Sequence, residues 1–121
     1  MILTQPRDPR LITLRRGGTL TDANHHLLAT WAAACAAHVL PYFEEVCPED
    51  DRPRQAIAQT RAWVRGEITV RQARVAAYDA NAAVRDLSGA ARYAAYAAVQ
   101  AIVIAHVAAG DHHSRIAIPR A

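Results

Sequence analysis

The side chains with most chemistry to offer are six histidines, two cysteines and a run of acids and arginines in the middle of the chain. Cys35 and His38 stand three residues apart in a predicted helix, a spacing that can present both to one metal ion. A closed zinc site takes four ligands, and no Cys-x-x-Cys or His-x-x-x-His pair supplies the others. We therefore expect no metal and no cofactor, and favour Cys35 and His38 as core residues on the Trp31 side of the helix.

The C-terminal histidines form a second group. His106, His112 and His113 could hold a metal at the surface beside Asp111. Adjacent histidines near a chain end are more often simply solvated. The sequence leaves the role of this tail open.

The most distinctive local motif is the run of acids and arginines from Asp50 to Arg54. One interpretation is a recognition surface for a charged partner. The other is a helix start, with carboxylates at the positive helix terminus and arginines pairing back to them. Both interpretations stay open.

A geometric argument connects this motif to His38. His38 lies near the end of the first predicted helix, just before Pro41, and the next helix starts about Asp51. Antiparallel helices joined by a short loop place the end of one beside the start of the other. We predict one site here, in which a carboxylate raises the pKa of His38; the alternative is that His38 points into the core. The candidate binding residues are His38, Glu44, Asp50, Asp51, Arg52 and Arg54.

No catalytic constellation is visible. The chain lacks a glycine-rich phosphate loop, a Gly-x-Ser-x-Gly elbow and a His-Glu-x-x-His pair. Glu44 and Glu45 are adjacent and point to different sides of a helix, so they make a poor acid/base pair. Cys35 and Cys47 have no basic neighbour that would lower a thiol pKa. The sequence predicts a protein that is not an enzyme.

Composition indicates the fold class. Of the 121 residues 28 are alanine and only seven are aromatic, which excludes a β-sandwich or barrel rich in β-branched and aromatic strands. This length suits one domain, so we assign residues 1–121 to a single helical domain with an arm at 1–19 and a polar tail at 111–121.

The charge and the hydropathy of the sequence limit the classes of partner that we expect. All fourteen basic residues are arginine, the net charge is +3, and the arginines are dispersed among acids, so we expect no nucleic acid. The most apolar stretch, residues 94–109, is shorter than the roughly 20 residues of a membrane span, so we expect no membrane. With no signal peptide and two free thiols, the sequence predicts a cytoplasmic protein.

Capping residues and prolines mark the helices. Thr21 caps a helix over 22–40, and Pro41 either kinks it or opens a short helix over 41–46. Further helices are predicted from Pro53 to Gly66, from the Thr69 capping box to about residue 87, and over 90–109. The expected fold is all-α, an antiparallel bundle of four main helices plus a short helix after Pro41 and an extended N-terminal arm.

Side-chain periodicity predicts which helix faces are buried. On the first helix, the larger apolar residues recur at three- and four-residue steps and predict the buried side. Trp63 lies on the Ile57, Thr60 and Val64 side of its helix and is predicted to be buried. The predicted buried side of the first helix consists of Leu27, Leu28, Trp31, Cys35, His38 and Val39.

Two segments, His38-Val39-Leu40-Pro41 and Asp50 to Arg54, carry a family resemblance together with the stretch from Arg61 to Glu67. The chain resembles the Imm-5-like family of bacterial immunity proteins, most strongly over residues 20–67. The resemblance implies a non-catalytic module that binds and neutralises a toxin domain of a polymorphic toxin system. The alternative is a small metal- or ligand-binding helical domain that uses His38 and the nearby acids. The oligomeric state stays open, with a homodimer among the choices. The residues that make the motif are His38, Pro41, Asp50, Asp51, Arg52, Pro53, Arg54, Trp63 and Gly66.

Overall fold

The computed structural model describes residues 8–108 and confirms the all-α fold with four main helices. Their bounds are α1 Asp22–Glu44, α2 Arg52–Val64, α3 Val70–Ala82 and α4 Gly89–Ala108. None of the described helices is long and apolar enough to cross a bilayer. The predicted polar tail, with His112 and His113, lies outside the described residues, as does the side chain of His106.

Helix α4 is the centre of the bundle and packs against α1, α2 and α3, while α2 lies between α1 and α3. Helices α1 and α4 run antiparallel, since His25 near the start of α1 contacts Ile104 near the end of α4. Alanine dominates their contact, and small side chains let helix axes approach closely and pack densely. The buried alanines of these two helices include Ala29, Ala33, Ala36, Ala94, Ala95, Ala98 and Ala101.

The predicted buried face of α1 is wrong for four of its six residues, while Leu28 and Val39 are half-buried. Leu27 and Trp31 are each 65% exposed, and Cys35 and His38 are exposed as well. The neighbouring face points inward because its alanines allow the close approach to α4 that bulky residues would prevent. The buried residues of α1 are His25, Ala29, Ala33, Ala36, Leu40 and Phe43.

The end of α1 also differs from the expected one. The helix runs through Pro41 to Glu44, and the four residues from Pro41 belong to α1 where a separate short helix was predicted. Proline removes one backbone donor, but the turn that follows is held by a bond from the Glu45 N–H to the Pro41 carbonyl at 2.9 Å. The fully buried ring of Phe43 fixes the same turn in the core.

The segment before α1 is a folded loop, so the predicted extended arm is wrong from residue 8 onward. It contains two short 3₁₀ turns, Pro9–Leu11 and Leu14–Arg16. The Leu20 N–H donates to the Ile12 carbonyl at 2.8 Å and closes the loop. A Cβ at Gly18 would lie 2.1 Å from that carbonyl oxygen, so this close approach requires glycine.

The starts of the later helices follow their capping residues. In α3, the Thr69 N–H donates to Gln72 Oε1 at 2.9 Å, and the Gln72 N–H donates to Thr69 Oγ1 at 3.2 Å, which confirms the capping box. The predicted end of this helix near residue 87 is wrong: α3 ends at Ala82, and turns lead from there to α4.

Candidate functional site

The junction of α1 and α2 concentrates negative charge in a protein of net charge +3. Five of the chain's eleven acids lie within eight residues, at the end of α1 and in the loop that leads to α2. We call them the acidic corner: Glu44, Glu45, Glu49, Asp50 and Asp51. The arginines that follow, Arg52 and Arg54, neutralise two of the five charges and leave three.

Two core residues hold the acidic corner in place. Phe43 precedes it on α1 and Pro53 follows it on α2, and both are fully buried. Between them, the Cys47 N–H donates to the Phe43 carbonyl at 2.9 Å, and the Asp50 N–H donates to the Cys47 carbonyl at 3.2 Å. The corner is therefore a turn anchored at both ends in the bundle.

A bidentate ion pair between Glu44 and Arg54 ties the two helices together. Arg54 Nε lies 2.8 Å from Glu44 Oε2, and Nη2 lies 2.5 Å from Oε1. The hydrogen bonds from Arg54 lower the pKa of Glu44 and raise that of Arg54. A bidentate contact between a guanidinium and a carboxylate fixes the orientation of the two groups relative to each other. This pair therefore sets the direction in which the acidic corner faces solvent.

A second bidentate pair joins Asp50 to Arg52. Arg52 Nε and Nη2 lie 2.9 and 2.7 Å from the two carboxylate oxygens, and the Arg52 backbone N–H also donates to Asp50 at 3.1 Å. The hydrogen bonds from Arg52 lower the pKa of Asp50. Asp50 thus satisfies a donor of the first turn of α2, while Asp51 occupies the N-cap position without a side-chain cap.

The remaining acids of the corner face solvent. Glu45, Glu49 and Asp51 are exposed. Asp51 accepts a hydrogen bond only at 3.5 Å, from Gln55 Nε2. Carboxylates in this state keep hydrogen-bonding capacity for a partner, because an ionised carboxylate accepts several bonds.

A groove of about 460 Å³ extends from the corner between α2 and α3. The hydrogen bond to Asp50 raises the pKa of Arg52, and the charges of Asp50, of Asp79 across the groove on α3 and of Asp51 add smaller increases. Carboxylates and side-chain amides supply most of its polar groups. Its lining residues are Asp51, Arg52, Gln55, Gln59, Gln72, Val75, Ala76 and Asp79.

His38 does not join the acids in the way the sequence predicted. Its side chain is exposed on the outer face of α1, so a position in the core is also wrong. Within residues 8–108, no hydrogen bond or ion pair connects it to Asp50 or Asp51; Asp50 pairs with Arg52, its neighbour in sequence. A binding role for His38 stays a prediction.

Sequence reasoning missed an aromatic cluster at the opposite end of α1. The His25 ring is buried and its Nε2–H donates to the Ile104 carbonyl at 2.9 Å, which fixes the protonated nitrogen. Its centroid lies 4.5 Å from that of Trp63, and the His26 ring meets Trp63 edge-on at 5.0 Å. Trp63 is half-buried, less than predicted. The pair of adjacent histidines near the start of the first helix was the signal in the sequence that could have indicated this cluster.

The groups that the described structure brings together suit recognition by charge and hydrogen bonds. Among the described side chains, which do not include that of His106, no three of His, Cys, Asp or Glu cluster as a metal site would require. Cys35 is exposed and Cys47 half-buried, and neither makes a hydrogen bond to a histidine in the described part of the chain.

Comparison with known proteins gives one match. The family model described as "Imm-5 like putative immunity protein" matches residues 18–117, a range that contains all four helices and the acidic corner. No curated protein and no solved structure matches the chain. Because the family match covers most of the sequence, the chain belongs to the Imm-5-like immunity protein family.

Proposed function

We propose that this protein neutralises a toxin domain by binding to it, in the cytoplasm of the cell that makes both. Membership of the immunity protein family over residues 18–117 carries this proposal. The protein acts as a stoichiometric blocker: it covers a surface that the toxin needs and leaves the toxin's covalent structure unchanged.

The acidic corner is the proposed contact surface. Three uncompensated carboxylates stand close together on a protein whose net charge is positive, so this end attracts a basic surface. The ion pairs Glu44–Arg54 and Asp50–Arg52 position the corner, and Asp51, Glu45 and Glu49 offer the exposed oxygens. The partner is therefore a toxin domain with a cluster of arginines or lysines at or beside its working surface.

Growth rescue tests this function. Each gene that flanks the coding sequence is expressed alone from an inducible promoter, then together with this protein. We expect one flanking product to stop growth and co-expression to restore it. Absence of a toxic flanking product, or toxicity that co-expression leaves unchanged, would contradict the proposal.

Two variants of equal charge change locate the surface. Glu49→Gln with Asp51→Asn removes two exposed charges from the corner, and Asp22→Asn with Glu67→Gln removes two from the far end of the bundle. We expect the corner variant to rescue growth poorly at low expression and the control variant to rescue fully. Equal rescue by both would place the contact elsewhere.

A separate measurement tests whether the protein blocks the toxin without changing it covalently. Toxin released from the complex by denaturation and refolded alone should regain its toxicity and show an unchanged mass. A toxin whose mass has changed would mean that the protein modifies it covalently.

A further inference from the structure

The outer face of α1 carries large exposed side chains on both sides of two small ones. Leu27 and Trp31 are 65% exposed and Tyr42 is 55% exposed, although a water-facing helix surface usually carries charged residues in these positions. The members recur along two rows of four-residue steps. We call this set the α1 seam: Leu27, Trp31, Ala34, Cys35, His38 and Tyr42.

The α1 seam lies in a stretch without charge. From residue 23 to residue 43 the chain contains no Asp, Glu or Arg, while the corner that follows carries five acids. Interface centres are depleted in charged residues and enriched in Trp and Tyr. A surface without charge also brings no like charges together when two copies meet.

The spacing of the seam positions is the same when read from either end, with two small side chains at the centre and larger ones on both sides, although the residue types differ. Paired positions always sum to 69, so Leu27 corresponds to Tyr42, Trp31 to His38, and Ala34 to Cys35. In a two-fold contact residue i of one copy meets j of the other, and j meets i. We infer that α1 pairs with α1 of a second copy, antiparallel, about a two-fold axis between Ala34 and Cys35.

Helix geometry agrees with this pairing. Rows of four-residue steps form ridges inclined to the helix axis, and interdigitating two such ridges gives a crossing angle near −50°. The small side chains Ala34 and Cys35 sit at the crossing point, where the backbones come closest. On each side the ring of Trp31 packs against the imidazole of His38 from the other copy, and Leu27 packs against Tyr42.

The size of the seam sets the strength of the dimer. Its exposed side chains, extended by Ala23 and Val46 at the two ends, present on the order of 600 Å² per copy. Because helices that cross at about −50° diverge toward their ends, pairing two copies buries at most about 1,200 Å², the lower end of specific interfaces. The expected dimer is reversible, with a dissociation constant in the micromolar range.

Sedimentation equilibrium of the full chain tests the proposal. Over about 5 to 500 µM, the mass should rise from 13.2 kDa toward twice that value. Trp31→Glu, a change at an exposed position, should raise the dissociation constant at least tenfold. In the double variant Trp31→Glu/His38→Arg each new acid faces a new arginine across the axis, so dimerisation should return.

A matched control and three contrary outcomes make the test decisive. Val75→Glu alters an equally exposed apolar residue on α3 and should leave the dimer intact. A protein that stays monomeric throughout the range, or a dimer that survives Trp31→Glu, would overturn the proposal. Loss of the dimer in Trp31→Glu without recovery in the double variant would overturn the register.

Cross-linking gives an independent measurement of the axis. In a Cys47→Ser background, the exposed Cys35 of one copy lies beside Cys35 of the other, within reach of a short bismaleimide. A covalent dimer should form in this background and vanish when Cys35 is also changed to serine. Failure to cross-link at concentrations where the dimer is populated would contradict the axis position.

Discussion

Replacing Ala33 by leucine probes the tight contact on which this bundle depends. Ala33 is 0% exposed on the inner face of α1, while its neighbour Ala34 is exposed on the outer face. Alanine and leucine have similar helix propensities, so the two variants differ in packing and hardly at all in helix formation. The comparison therefore isolates the space available between α1 and the rest of the core.

The expected magnitude follows from overpacking. Three extra carbon atoms at Ala33 meet a closed alanine-lined contact and lower the free energy of unfolding by about 1–3 kcal/mol. For a domain of this size the melting temperature should fall by roughly 4 °C per kcal/mol, or about 4–12 °C. Ala34→Leu should change the free energy of unfolding by less than about 0.5 kcal/mol.

Urea denaturation followed by circular dichroism measures both variants. A protein concentration far below the dissociation constant of the proposed dimer keeps the chain monomeric, so that effects at the α1 seam do not enter. If Ala34→Leu destabilises the protein more than Ala33→Leu, the outer and inner faces of α1 are exchanged and the packing described above is wrong.

Two further predictions concern the ends of α1. The lowered pKa values of Glu44 and Asp50 mean that their ion pairs stabilise the fold above the ordinary carboxyl pKa values and lose this effect as pH falls through the lowered ones. The double variant Glu44→Gln/Asp50→Asn removes both ion pairs, and at pH 6 its melting temperature should differ from that of the wild type by an amount that reflects about 1 kcal/mol or less. This difference should shrink steadily below pH 4.5. A difference that stays constant with pH would contradict these pairs. His25→Ala should lower the free energy of unfolding by about 2–3 kcal/mol, because it removes a buried ring and its hydrogen bond, and His26→Ala by less. Equal losses in urea denaturation would argue against the burial of His25.

The helix starts were predictable because their signals are local. The Thr69 capping box and the Thr21 N-cap involve residues three positions apart, so the sequence contains the whole interaction. Pro53 in the first turn of α2 works in the same way. The ends of helices were less predictable, since packing in the bundle sets where α3 stops and whether α1 continues through Pro41.

The face of α1 was not predictable from the size of its apolar residues. This helix has two apolar faces at helical spacing, one with Leu27 and Trp31 and the other with alanines that end in Leu40 and Phe43. Burial area per residue favours the first face. The complementary alanine surface of α4 favours the second, and α4 begins 45 residues after the end of α1.

The candidate site was predicted in part. The sequence singled out the acids and arginines around Asp50, and the structure pairs Asp50 with Arg52 and Glu44 with Arg54. The expected contact with His38 did not form, because the His38 side chain lies on the exposed outer face of α1. The direction of the His38 side chain depends on which face of α1 packs against α4.

Calorimetric titration of the purified toxin domain into this protein tests the central claim most directly. The account predicts a one-to-one complex whose affinity falls with increasing salt, as charge attraction requires. Glu49→Gln/Asp51→Asn should weaken binding about tenfold, which corresponds to about 1.4 kcal/mol, and Asp22→Asn/Glu67→Gln should leave it within about twofold. Absence of binding, or an equal effect of the two variants, would contradict neutralisation through the acidic corner.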